Sequence, residues 1–238
     1  MARQVLRIDE YVRRLNKPDV ALLAGYPRSG AALVRTIMAH CFDRPTMSIY
    51  NEDQIGDEYA ALLKHIGCRE PERTKAALER GGVLVKTHEL PQMPVETARS
   101  LIIVRDGRRT LDSLLAFYGQ QNGVAHTMTD LILGLHEWGD WSAWVRAWAM
   151  HSRRDSLWLR YEDVMADRKT AVDRIAAWFG IEPVGYDIPE FTQLQAAHNA
   201  VFRKAATTGR GVMTDDDEAL FWECHGATMA MLGYHRDG

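Results

Sequence analysis

Short, nearly unbroken apolar runs recur along the chain, and each ends in polar residues. "DVALLAGYP" at 19–27, "GGVLVKTH" at 81–88 and "SLIIVRD" at 100–106 lack the apolar–polar alternation of a half-exposed strand. They read as strands buried on both faces of a sheet. "DSLWLRYED" at 155–163 predicts a fourth strand. Between the runs, the apolar positions change to helical spacing. "GAALVRTIMAHCF" at 30–42 puts Leu33, Ile37 and Cys41 on one face, and "RRTLDSLLAFYG" at 108–119 reads as a second helix. "DRKTAVDRIAAWFGI" at 167–181 is a third, with a glycine stop. Strands alternating with helices predict an α/β fold, a three-layer sandwich with a central parallel sheet and helices on both faces. No repeat, low-complexity tract or linker divides the chain, so a single domain over residues 1–238 is expected.

Two stretches break the alternation. Residues 43–80 read as helical and polar, and "GQQNGVAHTMTDLILGLHEWGD" at 119–140 is a long connection, either a substrate loop or a surface excursion. Trp138, Trp141, Trp144 and Trp148 then recur at three- and four-residue steps, which predicts a helix burying aromatics with Asp140 as its cap. "DDDE" at 215–218 reads as the acidic first turn of the last helix.

The 238 residues are 46% hydrophobic and 26% charged, with a net charge of −3. This is ordinary globular composition, and it argues against bulk attraction to nucleic acid or an anionic membrane. Any anion site must come from a local cluster of Arg, Lys and backbone N–H groups. Cys41, Cys68 and Cys224 show no CxxC spacing; they read as free thiols of a reducing compartment, and no metal site is expected. With no signal-like apolar core and no apolar run near about 18 residues, a soluble cytoplasmic protein without membrane insertion is expected.

Four elements carry candidate chemistry. Gly25 and Gly30 have the spacing of the nucleotide-triphosphate loop, yet Ala31 and Ala32 stand where that loop has its lysine and metal-binding hydroxyl. Arg28 lies at the apex, where backbone N–H groups and a helix N-terminus can meet an anion. In "VKTHELP", Lys86 and His88 fall on one face at a strand end, so the imidazole can take a proton beside a cation. Arg105 ends a strand, and Ser113 follows about two helical turns later, while Arg108 and Arg109 read as solvent-facing. Arg203, Lys204 and Arg210 sit in a positive loop able to clamp a phosphate. Each also has a plain structural reading: a turn, a partly buried histidine, a chance pair, a solvated loop.

Together these elements resemble the sulfotransferase family that uses 3′-phosphoadenosine 5′-phosphosulfate (PAPS) and releases adenosine 3′,5′-bisphosphate (PAP). "GYPRSGAAL" is similar to the family's Y-P-K-S-G-T-T-W loop, which implies a P-loop-like 5′-phosphosulfate-binding loop built from Arg28, Ser29, Gly30, Ala31, Ala32 and Leu33. "KTHELP" resembles K-T-H-L-P, implying His88 as the catalytic base, with Lys86 and Arg28 stabilising the transferring group. "VRDGRRTLDS" is similar to the Arg-x₇-Ser element, implying that Arg105 and Ser113 bind the 3′-phosphate. "LRYEDV" resembles the Y-E-D segment with Tyr161; "FTQL" implies an adenine-stacking Phe191; "FRKAATTG" resembles the R-K-G loop with Arg203, Lys204 and Ala205. The elements keep the family's order, and "GDWSAWVRAW" is most similar to bacterial members acting on small molecules or glycans.

The resemblance implies sulfuryl transfer to a hydroxyl or amine by in-line displacement, PAPS as co-substrate and no metal. It admits a homodimer without predicting one, because "RGVMTDDDE" matches the family's dimer segment only loosely. Arg28 replaces a lysine, Ala31 and Ala32 two threonines, Leu33 a tryptophan and Ala205 a glycine. These departures keep two rivals in view: a P-loop kinase-like phosphotransferase and a non-catalytic phosphonucleotide-binding module.

Overall fold

The computed structural model describes residues 20–50, 56–67, 71–91, 99–120, 125–151, 155–199, 202 and 211–236. Its strands are β1 (Val20–Ala24), β2 (Thr46–Ser48), β3 (Val83–Thr87), β4 (Ser100–Val104) and β5 (Ser156–Arg160). They form one sheet in the order β2-β3-β1-β4-β5, every pair parallel. The chain leaves β1 toward one edge and β4 toward the other. The carboxyl ends of these two central strands therefore flank a topological switch point, where ligands of such sheets bind.

Burial alternates along the strands, as a period of two requires. Val20, Leu22 and Ala24 of β1 face one core with Ile102 and Val104, whereas Ala21 and Leu23 face the other with Leu101 and Ile103. The first core is covered by α4 (Gly107–Tyr118), α5 (Met128–Ile132), α6 (Trp141–His151) and α10 (Asp215–Met231). The second is covered by α1 (Ala31–Cys41), α7 (Tyr161–Ala166) and α8 (Arg168–Phe179). Three further helices, α2 (Asp57–Leu62), α3 (Pro71–Arg80) and α9 (Phe191–Ala197), complete the described elements. Tyr59, Leu63, Leu194 and Phe202 make a third cluster between α2 and α9. The apolar runs of the central strands thus have no polar face because both faces are covered.

Helix ends follow local chemistry. Asp106 caps α4 by accepting from the Arg108 N–H, and α8 stops at Gly180, whose φ of 70° is left-handed. Thr214 and Asp217 cap α10 reciprocally. The Asp140 carboxylate accepts from the Ala143 N–H at the start of α6, which buries Trp141, Trp144 and Trp148. No described helix is long and apolar enough to cross a membrane. Cys41 and Cys224 are unpaired thiols, and Cys68 lies outside the described residues.

Two expectations are corrected. The stretch 43–80 contains a strand, β2, which pairs with β3 at the sheet edge. Three residues, two of them polar, are too few to show a period. They are nevertheless buried, and Arg35, 1% exposed, donates from Nε to Thr46 Oγ1 at 3.0 Å. Arg108 is the second correction. It is 2% exposed rather than solvent-facing, because Asp106, Glu218 and the carbonyls of His235 and Arg236 surround its guanidinium.

His225 on α10 is fully buried. Its Nε2–H donates to the Ile132 carbonyl at 3.0 Å, so Nδ1 accepts from the Ser142 hydroxyl at 2.8 Å. Burial holds its pKa below the ordinary imidazole value, against the pull of Asp140, whose carboxylate is 3.8 Å away. Below about pH 6.5 the unfolded chain therefore binds a proton that the folded chain resists. Stability should be full above that pH and fall as pH drops toward the lowered folded value. Urea midpoints measured between about pH 7 and about pH 5 should show this decline, and a flatter profile in His225→Gln.

Candidate active site

The loop after β1 is shaped by close approach. A Cβ at Gly25 would lie 2.9 Å from Ile103 Cγ2, and one at Gly30 would lie 2.7 Å from Tyr161 Cδ2. Gly30 also has φ 111°, and Arg28, with a full side chain, has φ 73°. A non-glycine residue held there costs on the order of 1 kcal/mol or more, strain of a kind that gathers at functional sites. Gly30 caps α1 without any side-chain hydrogen bond, and the first turn of that helix carries no acidic residue. Its N-terminal amides and positive dipole end are therefore not answered by a carboxylate of the same helix.

Three sequence-selected residues converge on this loop. Arg28 Nε donates to Ser113 Oγ at 3.1 Å, and its guanidinium lies 5.3 Å from the Phe117 ring centroid. Arg105, 9% exposed, lies over Tyr161 at 4.6 Å and donates from Nη1 to the Arg28 carbonyl at 3.4 Å. Its buried Nε has no partner among the described residues. A buried guanidinium N–H left in this way costs free energy that an anionic ligand recovers. Ser113 thus meets Arg28 directly, and Arg105 reaches the same residue through its backbone.

His88 follows β3. Its Nδ1 is 2.5 Å from the Gly25 carbonyl, which can only accept, so Nδ1 carries the proton and Nε2 the lone pair. The imidazole stacks on Tyr50 at 5.6 Å and meets Trp138 edge-on at 5.2 Å. Trp144 Nε1 donates to the His88 carbonyl at 2.8 Å, and Lys86 Nζ lies 5.6 Å from the Tyr50 centroid. Within the loop, Tyr26 donates to the Gly139 carbonyl at 2.7 Å and accepts from His136 Nε2 at 3.0 Å. Burial raises the pKa of Tyr26, with Tyr118 adding to it; burial followed by Glu89 does the same for Tyr50. Both remain neutral phenols.

Ser29 is buried in the loop, its N–H bonded to the Tyr26 carbonyl at 3.0 Å. Ala31 and Leu33 are packed in the core beneath α1, and Ala32 packs against the Tyr59–Leu194–Phe202 cluster. Phe191 is 40% exposed at the start of α9, and no described ring or hydrogen-bond contact joins it to Arg105 or Tyr161. Arg203, Lys204, Ala205 and Arg210 lie outside the described residues. Among those described, no group of His, Cys, Asp and Glu is arranged to hold a metal ion.

Sequence reasoning missed Tyr26, Tyr50, His136 and His198. Tyr26 lies inside the quoted loop, and its position next to Gly25 was the available signal. Tyr50 and His136 come from the two stretches that break the strand–helix alternation. His198 packs edge-on against Tyr59 at 4.8 Å, and burial holds its pKa below the usual imidazole value against a backbone hydrogen bond that raises it, with a smaller lowering push from the Arg28 guanidinium.

The family model of the sulfotransferase domain matches residues 18–207. Among solved structures, mouse sulfotransferase SULT7A1 complexed with PAP is 19% identical, over 94% of this chain and 94% of its own, with a TM-score of 0.62. Retinol dehydratase in complex with androsterone and inactive cofactor PAP is 17% identical, over 89% of this chain and 81% of its own, with a TM-score of 0.59. A sulfotransferase from Alicyclobacillus acidocaldarius is 13% identical, over 93% of this chain and 98% of its own, with a TM-score of 0.52. At such identities the likeness is one of fold. Comparison with curated proteins finds no match.

Proposed function

The chain belongs to the sulfotransferase-domain family, and from that membership we propose that it transfers the sulfuryl group of PAPS to a hydroxyl or amine of a small molecule or glycan. The observation that carries this reading is the hydrogen bond from His88 Nδ1–H to the Gly25 carbonyl, which joins the base to the anion loop. With Nδ1 so engaged, Nε2 would be the atom that takes the acceptor's proton. PAPS would supply an already activated sulfuryl group. Arg28 and the α1 amides would hold its 5′ end, with Lys86 offsetting charge on the transferring oxygens. Arg105 and Ser113 would hold its 3′-phosphate, and the unpartnered Arg105 Nε suits such a ligand. Tyr161 would support Arg105, and we assign Phe191, Arg203, Lys204 and Ala205 to the adenine and 3′-phosphate side by the family motif alone.

The PAP complexes of the mouse sulfotransferase and retinol dehydratase support PAPS as donor, and androsterone in the latter supports a small-molecule acceptor. A single domain at work in the cytoplasm belongs to the same proposal. Ala31 and Ala32 favour one second reading, a module that binds a phosphonucleotide without turning it over, since neither offers a hydroxyl to a 5′-phosphate.

The test is a thermal shift followed by a transfer screen. PAP should raise the melting temperature without added metal, ATP with Mg²⁺ should not, and labelled PAPS should pass its sulfate to a member of a phenol, glycan and natural-product panel. PAP binding with no transfer selects the binding module. A response to Mg–ATP alone overturns the proposal in favour of a kinase.

A further inference from the structure

We propose that Tyr50 is the positioning residue of the base, acting through His88 by holding both its peptide N–H and its ring. This rests on the reading of His88 as base. The Tyr50 hydroxyl accepts from the His88 backbone N–H at 2.8 Å and donates to Glu89 Oε1 at 2.9 Å. Its ring lies 5.6 Å from the imidazole and 23° from parallel. One side chain therefore contacts residue 88 at two separate groups.

The register explains the need. Strand β3 ends at Thr87, and the last backbone bond of its β2 side runs from the Ile49 N–H to the Lys86 carbonyl at 3.1 Å. At residue 88 that ladder has run out, and the Tyr50 hydroxyl supplies the acceptor that a longer strand would have provided. A phenol that accepts must point its own O–H elsewhere, and Glu89 Oε1 accepts that hydrogen bond. The Glu89 backbone is fixed in turn, its N–H on Thr87 Oγ1 at 3.1 Å and its carbonyl on Trp148 Nε1 at 3.2 Å. With Gly25 accepting from Nδ1–H and Trp144 donating to the carbonyl, Tyr50 adds a hold on the peptide N–H and on the ring face to those on Nδ1 and the carbonyl. An error of about 1 Å in such a group can cost about 10²-fold in rate.

The experiment uses the full chain and nitrogen-15 spectra of the His88 imidazole, recorded with and without PAP. The wild type should show one neutral tautomer, with the proton on Nδ1. Tyr50→Phe keeps the stacking and loses the hydroxyl, and should give a mixture of tautomers. Glu89→Gln keeps the phenol but weakens its orientation, and should fall between. A merely structural tyrosine would lower the melting temperature and leave the tautomer unchanged. Wild-type His88 spectra in both folded variants overturn the proposal. The spectra judge Tyr50 even if PAP fails to bind, and failure of the base reading is seen separately, as unimpaired transfer in a His88 variant.

Discussion

His88→Ala should lose about 10²- to 10⁴-fold of the sulfuryl-transfer rate, the usual contribution of a positioned general base. Its affinity for PAP should change by less than about threefold, because Arg28, Arg105, Ser113 and the α1 N-terminus are untouched. The reason lies in the tautomer. The Gly25 carbonyl is bound to Nδ1–H, so the lone pair is held at Nε2, where an approaching hydroxyl can give up its proton. His88→Gln is the informative companion: its amide can still donate to Gly25 but is no base. The two variants should be equally slow. Transfer at the wild-type rate in His88→Ala would remove this residue from the chemistry, and full activity in His88→Gln would reduce it to a strut of the loop.

Arg108→Met should lower the free energy of unfolding by about 3–5 kcal/mol, the range for breaking a buried ion pair from one side. Arg108 is 2% exposed and donates from Nη2 to Asp106 Oδ2 at 2.8 Å and from Nη1 to the Arg236 carbonyl at 3.1 Å. Glu218 Oε1 lies 3.5 Å from Nη1, and the guanidinium is 5.2 Å from the Trp222 ring centroid. Burial works against its charge, yet Asp106 and Glu218 outweigh it and hold the pKa above the usual arginine value. Methionine fills much of the volume but leaves the Asp106 carboxylate, 7% exposed, without its cation. Asp106 caps α4 and adjoins Arg105. Its N–H bonds Glu162, which accepts the Tyr234 phenol at 2.6 Å. The damage should therefore reach the donor site, and PAP affinity should fall along with the urea midpoint. Arg108→Lys should recover little, since an ammonium cannot reproduce the fork. An unchanged urea midpoint in Arg108→Met would show that the network adds nothing net.

These two residues also divide what a linear reading could and could not supply. His88 stood out because, of the nine histidines, it alone is read at a strand end beside a cationic neighbour, and the structure places it after β3 against the Gly25 carbonyl. Arg108 was misjudged because its carboxylate and carbonyl partners at 218, 235 and 236 stand more than a hundred residues away. An arginine next to a helix start reads as solvated until those partners are in place. The tryptophan series shows the same limit. Trp141, Trp144 and Trp148 pack as their helical spacing predicts, whereas Trp138, one step before the helix, turns its edge to His88.

By itself, the order of residues determined the buried strands β1, β3 and β4, the strand β5, the helices between them and the glycine-bounded turn after β1. Each of these depends on neighbours a few positions apart, whose side-chain pattern and backbone freedom are local properties. The tertiary structure alone decided that β2 joins the sheet edge, that Ser113 meets Arg28, and that the Tyr50 hydroxyl meets the His88 N–H. Each of those pairings closes a long stretch of chain. Its free energy comes from burial and hydrogen bonds formed once the sheet has assembled, and no spacing along the chain records them.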